Sequence, residues 1–224
     1  MTNKPLLQVA IDVTDLKKAV RVATSAIKGE ADLIEAGTPL LQKYGVKTVI
    51  NVFKGLNDEI PVVADLKIAD AGYLSALIAF ENGADYVTVL ATASTNTITG
   101  AIDAAKEYSG GVIADLILSQ DVKSDIQKSL DLGVDFILIH TGLDEQSRGV
   151  NVTMKLKERT RMIPARKLAV AGGINLDNIK YVLAVSPALI IVGSAIYKAQ
   201  NPEEMTKRFK QLILSSHFSS NIPH

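Results

Sequence analysis

One charged run interrupts the apolar pattern of this sequence at a position where charges are costly to bury. Asp65, Lys67 and Asp70 follow the apolar segment 61–64 in the order Asp-Leu-Lys-Ile-Ala-Asp. Residues two apart on a strand point to the same side, so we expect Asp65 and Lys67 to face inward together. A buried ion pair, with Asp70 as an ordinary N-cap, would be the structural explanation. The three residues taken together favour a functional site, because unpaired burial of such charges would cost several kcal/mol.

Further polar residues lie at or near the ends of other apolar segments. They are Asp12 after LLQVAI, Glu35 in ADLIEAG, Asp115 in GVIADLI and His140 at the end of VDFILIH. We expect these side chains to satisfy one another around a ligand. Asp12 is also compatible with helix capping, and Asp115 with a satisfied carboxylate of the core.

The residue types favour proton chemistry assisted by an oxygen-bound metal. Two or three carboxylates without cysteine suit Mg²⁺ better than a tetrahedral zinc site, and we expect Glu35 and Asp65 to be the ligands. Such an ion would stabilise the 1,2-enediolate formed when a base removes a proton beside a ketone, and Lys67 would add a second cation. His140 is the candidate base, because histidine transfers protons near neutral pH.

Small residues mark two further loops. Gly172 and Gly173 follow the segment KLAVA, and Gly193 and Ser194 follow PALIIV. Glycine lets the backbone approach a ligand closely, and free N–H groups at the start of a helical turn favour phosphate. One such loop is explained by ordinary turn chemistry, whereas two after consecutive strands indicate a phosphate site.

The elements that must position these residues alternate regularly along the chain. Eight short aliphatic segments, beginning at residues 6, 31, 61, 84, 111, 134, 167 and 187, alternate with amphipathic segments such as 15–28 and 201–214. Strands covered on both faces have this continuous apolar character. Eight strand–helix units of roughly 25 residues predict a single (β/α)8 barrel, in which the carboxyl ends of the strands carry the active site. We expect this domain to span 1–214 and the polar segment 215–224 to fray.

Composition limits the class of partner. The 224 residues include 24 basic and 24 acidic side chains and no cysteine, and 47% are hydrophobic. No basic block is present, so we expect no nucleic-acid partner, and thiolate catalysis is excluded. No segment reaches the length needed to cross a bilayer, and the N-terminal residues lack a signal-peptide pattern. We therefore expect a cytoplasmic enzyme that acts on a small molecule.

Four segments carry a resemblance to a known family. IEAGTP at 34–39, ADLKIADAG at 64–72, IHTGLDEQ at 139–146 and AVAGGIN at 169–175 resemble the 3-hexulose-6-phosphate synthases of the orotidine-5'-phosphate decarboxylase suprafamily. The similarity extends over almost the whole chain. It implies a Mg²⁺-dependent aldol addition of formaldehyde to the phosphosugar D-ribulose 5-phosphate, giving D-arabino-3-hexulose 6-phosphate.

The resemblance also assigns roles to residues. It implies metal binding by Glu35 and Asp65 and assigns His140 as the base; from their positions alone we also expect Asp12 and Lys67 to be catalytic. We expect Asp115, from its position, to contact substrate, and the resemblance places backbone contacts to phosphate at Gly172, Gly173, Gly193 and Ser194. It further implies a homodimer in which Asp70 acts in the site of the neighbouring subunit. Many members of the suprafamily have arginine at the position of Ser194, so a guanidinium contact to phosphate is not expected here.

Several alternatives remain at this stage. 3-Keto-L-gulonate-6-phosphate decarboxylases share the enediolate, but they resemble His-Arg-Ser-Arg-Asp where this chain has His140-Thr-Gly-Leu143-Asp. Orotidine-5'-phosphate decarboxylase is disfavoured because its catalytic array has a further lysine where strand two offers Glu35. A Schiff-base aldolase would use Lys67 as a nucleophile. A non-catalytic phosphosugar-binding protein would give no reason for an acid pair beside a histidine.

Overall fold

The computed structural model describes residues 4–150 and 152–216, and within them eight parallel strands form a closed barrel. Each strand pairs with the next one along the chain, and β1 closes the ring against β8. The strands are β1 (Leu6–Ile11), β2 (Leu33–Ala36), β3 (Val62–Ile68), β4 (Tyr86–Leu90), β5 (Gly111–Asp115), β6 (Phe136–His140), β7 (Leu168–Ala171) and β8 (Leu189–Val192). The prediction of a single (β/α)8 barrel is confirmed, and each predicted strand segment overlaps one observed strand.

Helices occupy the connections between the strands. In the described ranges they are α1 (Leu16–Lys28), α2 (Thr38–Tyr44), α3 (Val46–Lys54), α4 (Gly72–Phe80), α5 (Thr95–Glu107), α6 (Val122–Leu132), α7 (Leu143–Ser147), α8 (Thr153–Arg159), α9 (Ile179–Leu183), α10 (Ser194–Tyr197) and α11 (Pro202–Ser215). Short 3₁₀ turns at Thr160–Met162 and Ala165–Lys167 precede β7. Of the predicted tail, residue 215 belongs to α11 and 217–224 lies outside the described residues. Among the residues covered, no helix is both long and apolar enough to span a membrane.

Two apolar layers stabilise the barrel. The larger layer lies between strands and helices and takes Val9 and Ile11 from β1. A smaller cluster comes from the alternate strand positions and fills the interior. Its buried members are Ala10, Leu33, Val63, Ile113, Leu138, Ala169, Ala171, Leu189 and Ile191. Polar side chains at these inward positions must therefore be satisfied inside the barrel or at its mouth.

The amino-terminal ends of the strands carry a repeated structural contact. An aspartate just before each of β2, β4 and β6 accepts a hydrogen bond from a backbone N–H near the start of the preceding strand. The pairs are Asp32 with Leu7 (2.7 Å), Asp85 with Val62 (2.7 Å) and Asp135 with Val112 (2.8 Å). These carboxylates satisfy backbone donors, so this end of the barrel serves stability, and the polar residues at the other end need a different explanation.

Asp70 is not the N-cap that the structural explanation of the charged run assumed, although other helices do have side-chain caps. Ser94 caps α5 and Asp121 caps α6, each through a hydrogen bond from a backbone N–H three residues ahead. Asp70 caps nothing, because Ala71, in a left-handed conformation with φ 50°, occupies the N-cap position of α4. Asn175 accepts two backbone N–H groups in a turn that precedes α9. Asp70 is exposed and has no capping role that would explain it.

Candidate active site

A cavity of about 240 Å³ opens at the carboxyl ends of the strands. All but one of the residues predicted for the site line it, namely Asp12, Glu35, Asp65, Lys67, Asp115, His140, Gly172, Gly173, Gly193 and Ser194. They come from seven different strand ends or the loops that follow them. The rule that polar residues at these ends converge on one site therefore located the cavity correctly.

Asp65 and Lys67 meet through an irregularity in β3. The pairing of β3 with β4 shifts between Ala64 and Ile68, and Lys67 has a left-handed backbone with φ 47°. Within this bulge Lys67 Nζ forms an ion pair with Asp65 Oδ2. The regular alternation assumed from the sequence does not hold here, although both side chains do face the cavity. A strained backbone at a charged residue is typical of functional sites.

Thr88 of β4 holds both parts of the bulge. Its hydroxyl accepts a hydrogen bond from the Lys67 backbone N–H at 2.8 Å and donates one to Asp65 Oδ1 at 2.7 Å. Thr88 is buried. One hydroxyl thus fixes the Lys67 backbone and the Asp65 carboxylate together, so neither can move independently.

Thr38, the first residue of α2, completes this arrangement from the other side. Its hydroxyl lies 2.7 Å from Asp65 Oδ2 and 2.8 Å from the Asp65 carbonyl oxygen, and Lys67 Nζ donates to it at 3.1 Å. The sequence reasoning missed Thr38 and Thr88. The available signal was the one used for the charged residues, since Thr88 interrupts the apolar strand YVTVL and Thr38 follows directly on IEAG.

The acidic residues of the cavity differ in their affinity for protons. Burial raises the pKa of Asp12 above its ordinary value, and the negative charge of Asp65 raises it further. Burial, followed by Asp65 and Asp12, raises the pKa of Glu35 well above its usual range. Burial also acts to raise the pKa of Asp65, but Lys67 and the hydrogen bonds from Lys67, Thr88 and Thr38 outweigh it and lower that pKa. Asp65 is therefore the carboxylate held in its charged form.

Lys67 remains protonated in this environment. Burial acts to lower the pKa of its ammonium group, but the charge and hydrogen bond of Asp65, followed by the charge of Glu35, raise it above its ordinary value. A lysine that forms a Schiff base needs a lowered pKa. Lys67 is therefore suited to act as a cation and unsuited to act as a Schiff-base nucleophile.

His140 is oriented by Asp115. Asp115 Oδ2 lies 2.8 Å from His140 Nδ1, and Asp115 Oδ1 accepts the backbone N–H of Ile117 at 2.9 Å. The Asp115 side chain is fully buried, whereas that of His140 is 19% exposed. A carboxylate on Nδ1 fixes the imidazole tautomer and leaves Nε2 available to accept a proton. The predicted contact between Asp115 and substrate stays a prediction, and both of its oxygens are engaged here.

The loop after β6 is fixed by an ion pair that the sequence did not indicate. Lys155 Nζ donates to the His140 carbonyl oxygen at 3.1 Å and to Glu145 Oε2 at 2.7 Å. The hydrogen bond from Lys155 lowers the pKa of Glu145. Glu145 also accepts the backbone N–H of Gly142 at 3.1 Å, so α7 is tied to the end of β6. Leu143 of α7, 55% exposed, lies at the rim of the cavity.

Glycine is required where backbone segments meet at the cavity. Gly172 has φ 105°, and a Cβ there would lie 2.2 Å from the carbonyl oxygen of Thr141. A Cβ at Gly37 would lie 2.2 Å from Asp12 Oδ1. The Gly172–Gly173 turn and the start of α10 at Ser194 both face the cavity, as expected for a backbone that receives phosphate. Binding of phosphate by these residues remains a prediction.

Asp70 is the predicted site residue that does not line the cavity of its own chain. It is exposed and lies two residues before α4. Close to it, α4 presents three partly exposed apolar side chains, those of Tyr73 (40%), Leu74 (59%) and Ile78 (42%).

Glu35 and Asp65 fit a Mg²⁺ site that has only two protein ligands. Within the described ranges, no group of three or more His, Asp or Glu side chains is arranged to hold a metal by itself. Mg²⁺ is normally bound through one or two carboxylates together with water and substrate oxygens. Glu35 Oε2 accepts a hydrogen bond from Gln8, while Oε1 accepts none from the residues described. Asp65 Oδ2 already accepts from Lys67 and Thr38, whereas Oδ1 accepts only from Thr88 among the residues described and has a second lone pair for a cation.

Comparison with known proteins identifies the relatives of this chain. Residues 5–209 match the model of the orotidine 5'-phosphate decarboxylase / HUMPS family. A relative from Bacillus subtilis named 3-hexulose-6-phosphate synthase is 36% identical over 208 residues, which cover 93% of this chain and 98% of the relative.

Two solved structures are also similar. The structure of 3-hexulose-6-phosphate synthase from Salmonella typhimurium has a TM-score of 0.89 at 34% identity and covers 95% of this chain and 100% of its own. The structure of KGPDC from Streptococcus mutans in complex with D-R5P has a TM-score of 0.86 at 30% identity. The match covers 94% of this chain and 97% of the KGPDC chain. With its fold, its cavity and these relatives, the chain belongs to the orotidine 5'-phosphate decarboxylase / HUMPS family.

Proposed function

We propose that this chain is a 3-hexulose-6-phosphate synthase, which adds formaldehyde to D-ribulose 5-phosphate and gives D-arabino-3-hexulose 6-phosphate. The observation that carries this proposal is the placement of Glu35, Asp65 and Lys67 in one cavity with the Asp115–His140 pair. The relatives with this name match over nearly their whole length, which supports the same assignment.

His140 is the proposed base. Its Nε2 would take a proton from C1 of ribulose 5-phosphate, and the electrons of that C–H bond would form the enediolate. C1 would then bond to the carbon of formaldehyde, whose carbonyl electrons move to its oxygen, and that oxygen would take the proton from the His140 imidazolium to become a hydroxyl group. The Asp115 carboxylate would stabilise the imidazolium that exists between these steps.

Charge stabilisation is the proposed role of the other side of the cavity. Mg²⁺, when bound by Glu35 and Asp65, would supply positive charge to the oxygens of the enediolate. Lys67 adds a fixed cation, because Asp65, Thr38 and Thr88 hold its backbone and ammonium group in place. The Gly172–Gly173 turn and Gly193–Ser194 would receive the phosphate through backbone N–H groups.

The decarboxylation of 3-keto-L-gulonate 6-phosphate is the second candidate, favoured by the similarity to KGPDC. The residue at the rim argues against it, because the apolar Leu143 stands where the decarboxylase pattern has its second arginine. The enediolate is common to both reactions, so a low level of the second activity is expected.

We also propose a homodimer in which Asp70 enters the neighbouring cavity. The apolar face of α4 formed by Tyr73, Leu74 and Ile78 adjoins Asp70, and burying it between two copies would be favourable. A phosphorylated sugar as substrate is in keeping with a cytoplasmic location.

The direct test compares the two substrates. The protein is incubated with ribulose 5-phosphate and formaldehyde, and separately with 3-keto-L-gulonate 6-phosphate, and kcat/KM is measured for each. The proposal expects the larger value for the first pair, loss of activity in EDTA and recovery with added Mg²⁺. A larger value for the gulonate substrate would favour the decarboxylase, and full activity in EDTA would remove the metal from the mechanism.

A further inference from the structure

Gln8 is a buried polar residue in the middle of β1, directly below the cavity. Its side chain is fully buried, and it lies on the same side of the strand as Ala10, which lines the cavity. Its neighbours in register are Leu33 on β2 and Ile191 on β8, both members of the apolar interior cluster. An apolar side chain would suit this position, so the amide needs an explanation.

The amide of Gln8 has one partner and one unsatisfied atom. Nε2 donates to Glu35 Oε2 at 2.5 Å, whereas Oε1 is buried without a hydrogen bond in the described part of the chain. The opposite orientation of the amide would place its oxygen against Glu35 Oε2, so this is the orientation that Glu35 would require once ionised as a metal ligand. A buried carbonyl oxygen without a donor is unfavourable for stability.

The position of Glu35 explains why Gln8 donates a hydrogen bond to it. Glu35 is 7% exposed and lines the cavity, where the negative charges of Asp65 and Asp12 act on it. With Oε2 fixed by Gln8 from below, the carboxylate cannot rotate freely, and Oε1 is the oxygen without a partner. A ligand oxygen held in this way needs no reorganisation when a cation arrives.

We propose that Gln8 is a positioning residue for the divalent cation, holding the Glu35 carboxylate so that Oε1 is presented to the metal. This inference rests on the proposed function, because the cation is part of that proposal. It adds a residue that neither touches substrate nor lines the cavity, and it explains why an amide with an unsatisfied oxygen occupies the barrel interior.

The test measures metal affinity in the absence of substrate. Gln8→Met keeps the length and shape of the side chain and removes the donor, and Gln8→Leu serves as the second variant if the first folds poorly. Binding of Mn²⁺ is followed by titration calorimetry on protein stripped with EDTA, and thermal unfolding is recorded in EDTA. Ser129→Ala is the matched control, since it removes a buried hydroxyl that bonds only to the Asp125 carbonyl in α6.

The expected result separates positioning from plain structural support. Gln8→Met should bind Mn²⁺ about 10- to 100-fold more weakly, while its melting temperature in EDTA is unchanged or higher. Ser129→Ala should retain the wild-type affinity. An affinity within twofold of wild type, or an equal loss in Ser129→Ala, would overturn the role of Gln8. If wild-type protein itself bound no Mn²⁺, the metal site of the proposed function would fail first and this inference with it.

Discussion

Asp115 Oδ2 lies 2.8 Å from His140 Nδ1, and this contact determines which nitrogen of the imidazole can act in the cavity. Asp115 is itself fixed by the backbone N–H of Ile117, so the carboxylate cannot turn away from the ring. A base whose tautomer is set before substrate arrives is ready to accept a proton at Nε2. The pair thus gives the assignment of His140 a geometric basis that the sequence alone did not provide.

Replacing Asp115 by Asn should leave the fold intact and slow the reaction. An amide at this position can accept or donate at Nδ1, so the required tautomer is no longer imposed. We expect kcat to fall about 100-fold or more, within the range that general base catalysis contributes. The measurement is steady-state kcat together with exchange of the C1 proton of ribulose 5-phosphate with solvent, which should slow in parallel. Asp103→Asn, at an exposed ion pair in α5, is the control and should change neither. Undiminished exchange in Asp115→Asn would assign the base elsewhere.

Thr88→Val tests whether the bulge in β3 depends on a single hydroxyl. Valine keeps the shape but leaves the Lys67 backbone N–H and one oxygen of Asp65 without their partner, which costs about 1–3 kcal/mol. The melting temperature should fall by about 2–4 °C per kcal/mol, and kcat should drop about tenfold or more. Thr88→Ser should restore both.

The control for Thr88 is a second buried threonine. Thr206 donates to the Pro202 carbonyl oxygen within α11 and does not line the cavity, so Thr206→Val should affect stability without the loss of kcat. If Thr88→Val retains full activity, the hydroxyl does not hold the catalytic residues in place.

The raised pKa of Glu35 predicts that an ionised Glu35 lowers the stability of the folded protein. A carboxyl group whose folded pKa lies above its unfolded value binds protons more tightly in the folded state, so stability decreases as pH rises between the two values. In EDTA, Glu35→Gln should therefore have a higher melting temperature than wild type at pH 8, with a smaller difference at pH 5. Thermal unfolding at both pH values measures this.

Addition of Mg²⁺ extends the same experiment. The cation should raise the melting temperature of wild type and not that of Glu35→Gln, because binding only to the folded state stabilises it. The interpretation would be contradicted by a variant that is less stable than wild type at pH 8, or by a difference that does not change with pH.

The sequence predicted the barrel and the location of the site because both depend on periodic features. Eight apolar segments at regular spacing leave few topologies, and closure then brings Asp12, Glu35, Asp65 and His140 to one end. Neither the barrel nor the position of the site depended on predicting the lengths of the helices. The charged residues were detectable because a charge within an apolar strand is itself a strong signal.

The partners of those residues were not predictable in the same way. Thr88 meets Asp65 and Lys67 across a bulge, and the register of that bulge is a property of two paired strands rather than of either sequence. The left-handed backbone at Lys67 could not be predicted from the sequence, because no glycine stands at that position. Gln8 lies 27 residues from Glu35 in sequence, and its importance follows only from the contact.

Asp70 provides the last prediction, because it is exposed and does not line the cavity of its own chain. If the homodimer proposed above places it in the neighbouring cavity, each active site draws His140 from one subunit and Asp70 from the other. Co-expression of His140→Asn and Asp70→Ala subunits with different affinity tags, followed by purification of the mixed dimer, should then give about half the activity of the wild-type dimer, because one of its two equivalent sites is intact. A mixed dimer of His140→Asn and Asp65→Asn subunits should stay inactive, since these two residues line the same chain's cavity. Activity no higher than that of the parent variants would place Asp70 in its own subunit's site, and failure to recover any mixed dimer would refute the assembly.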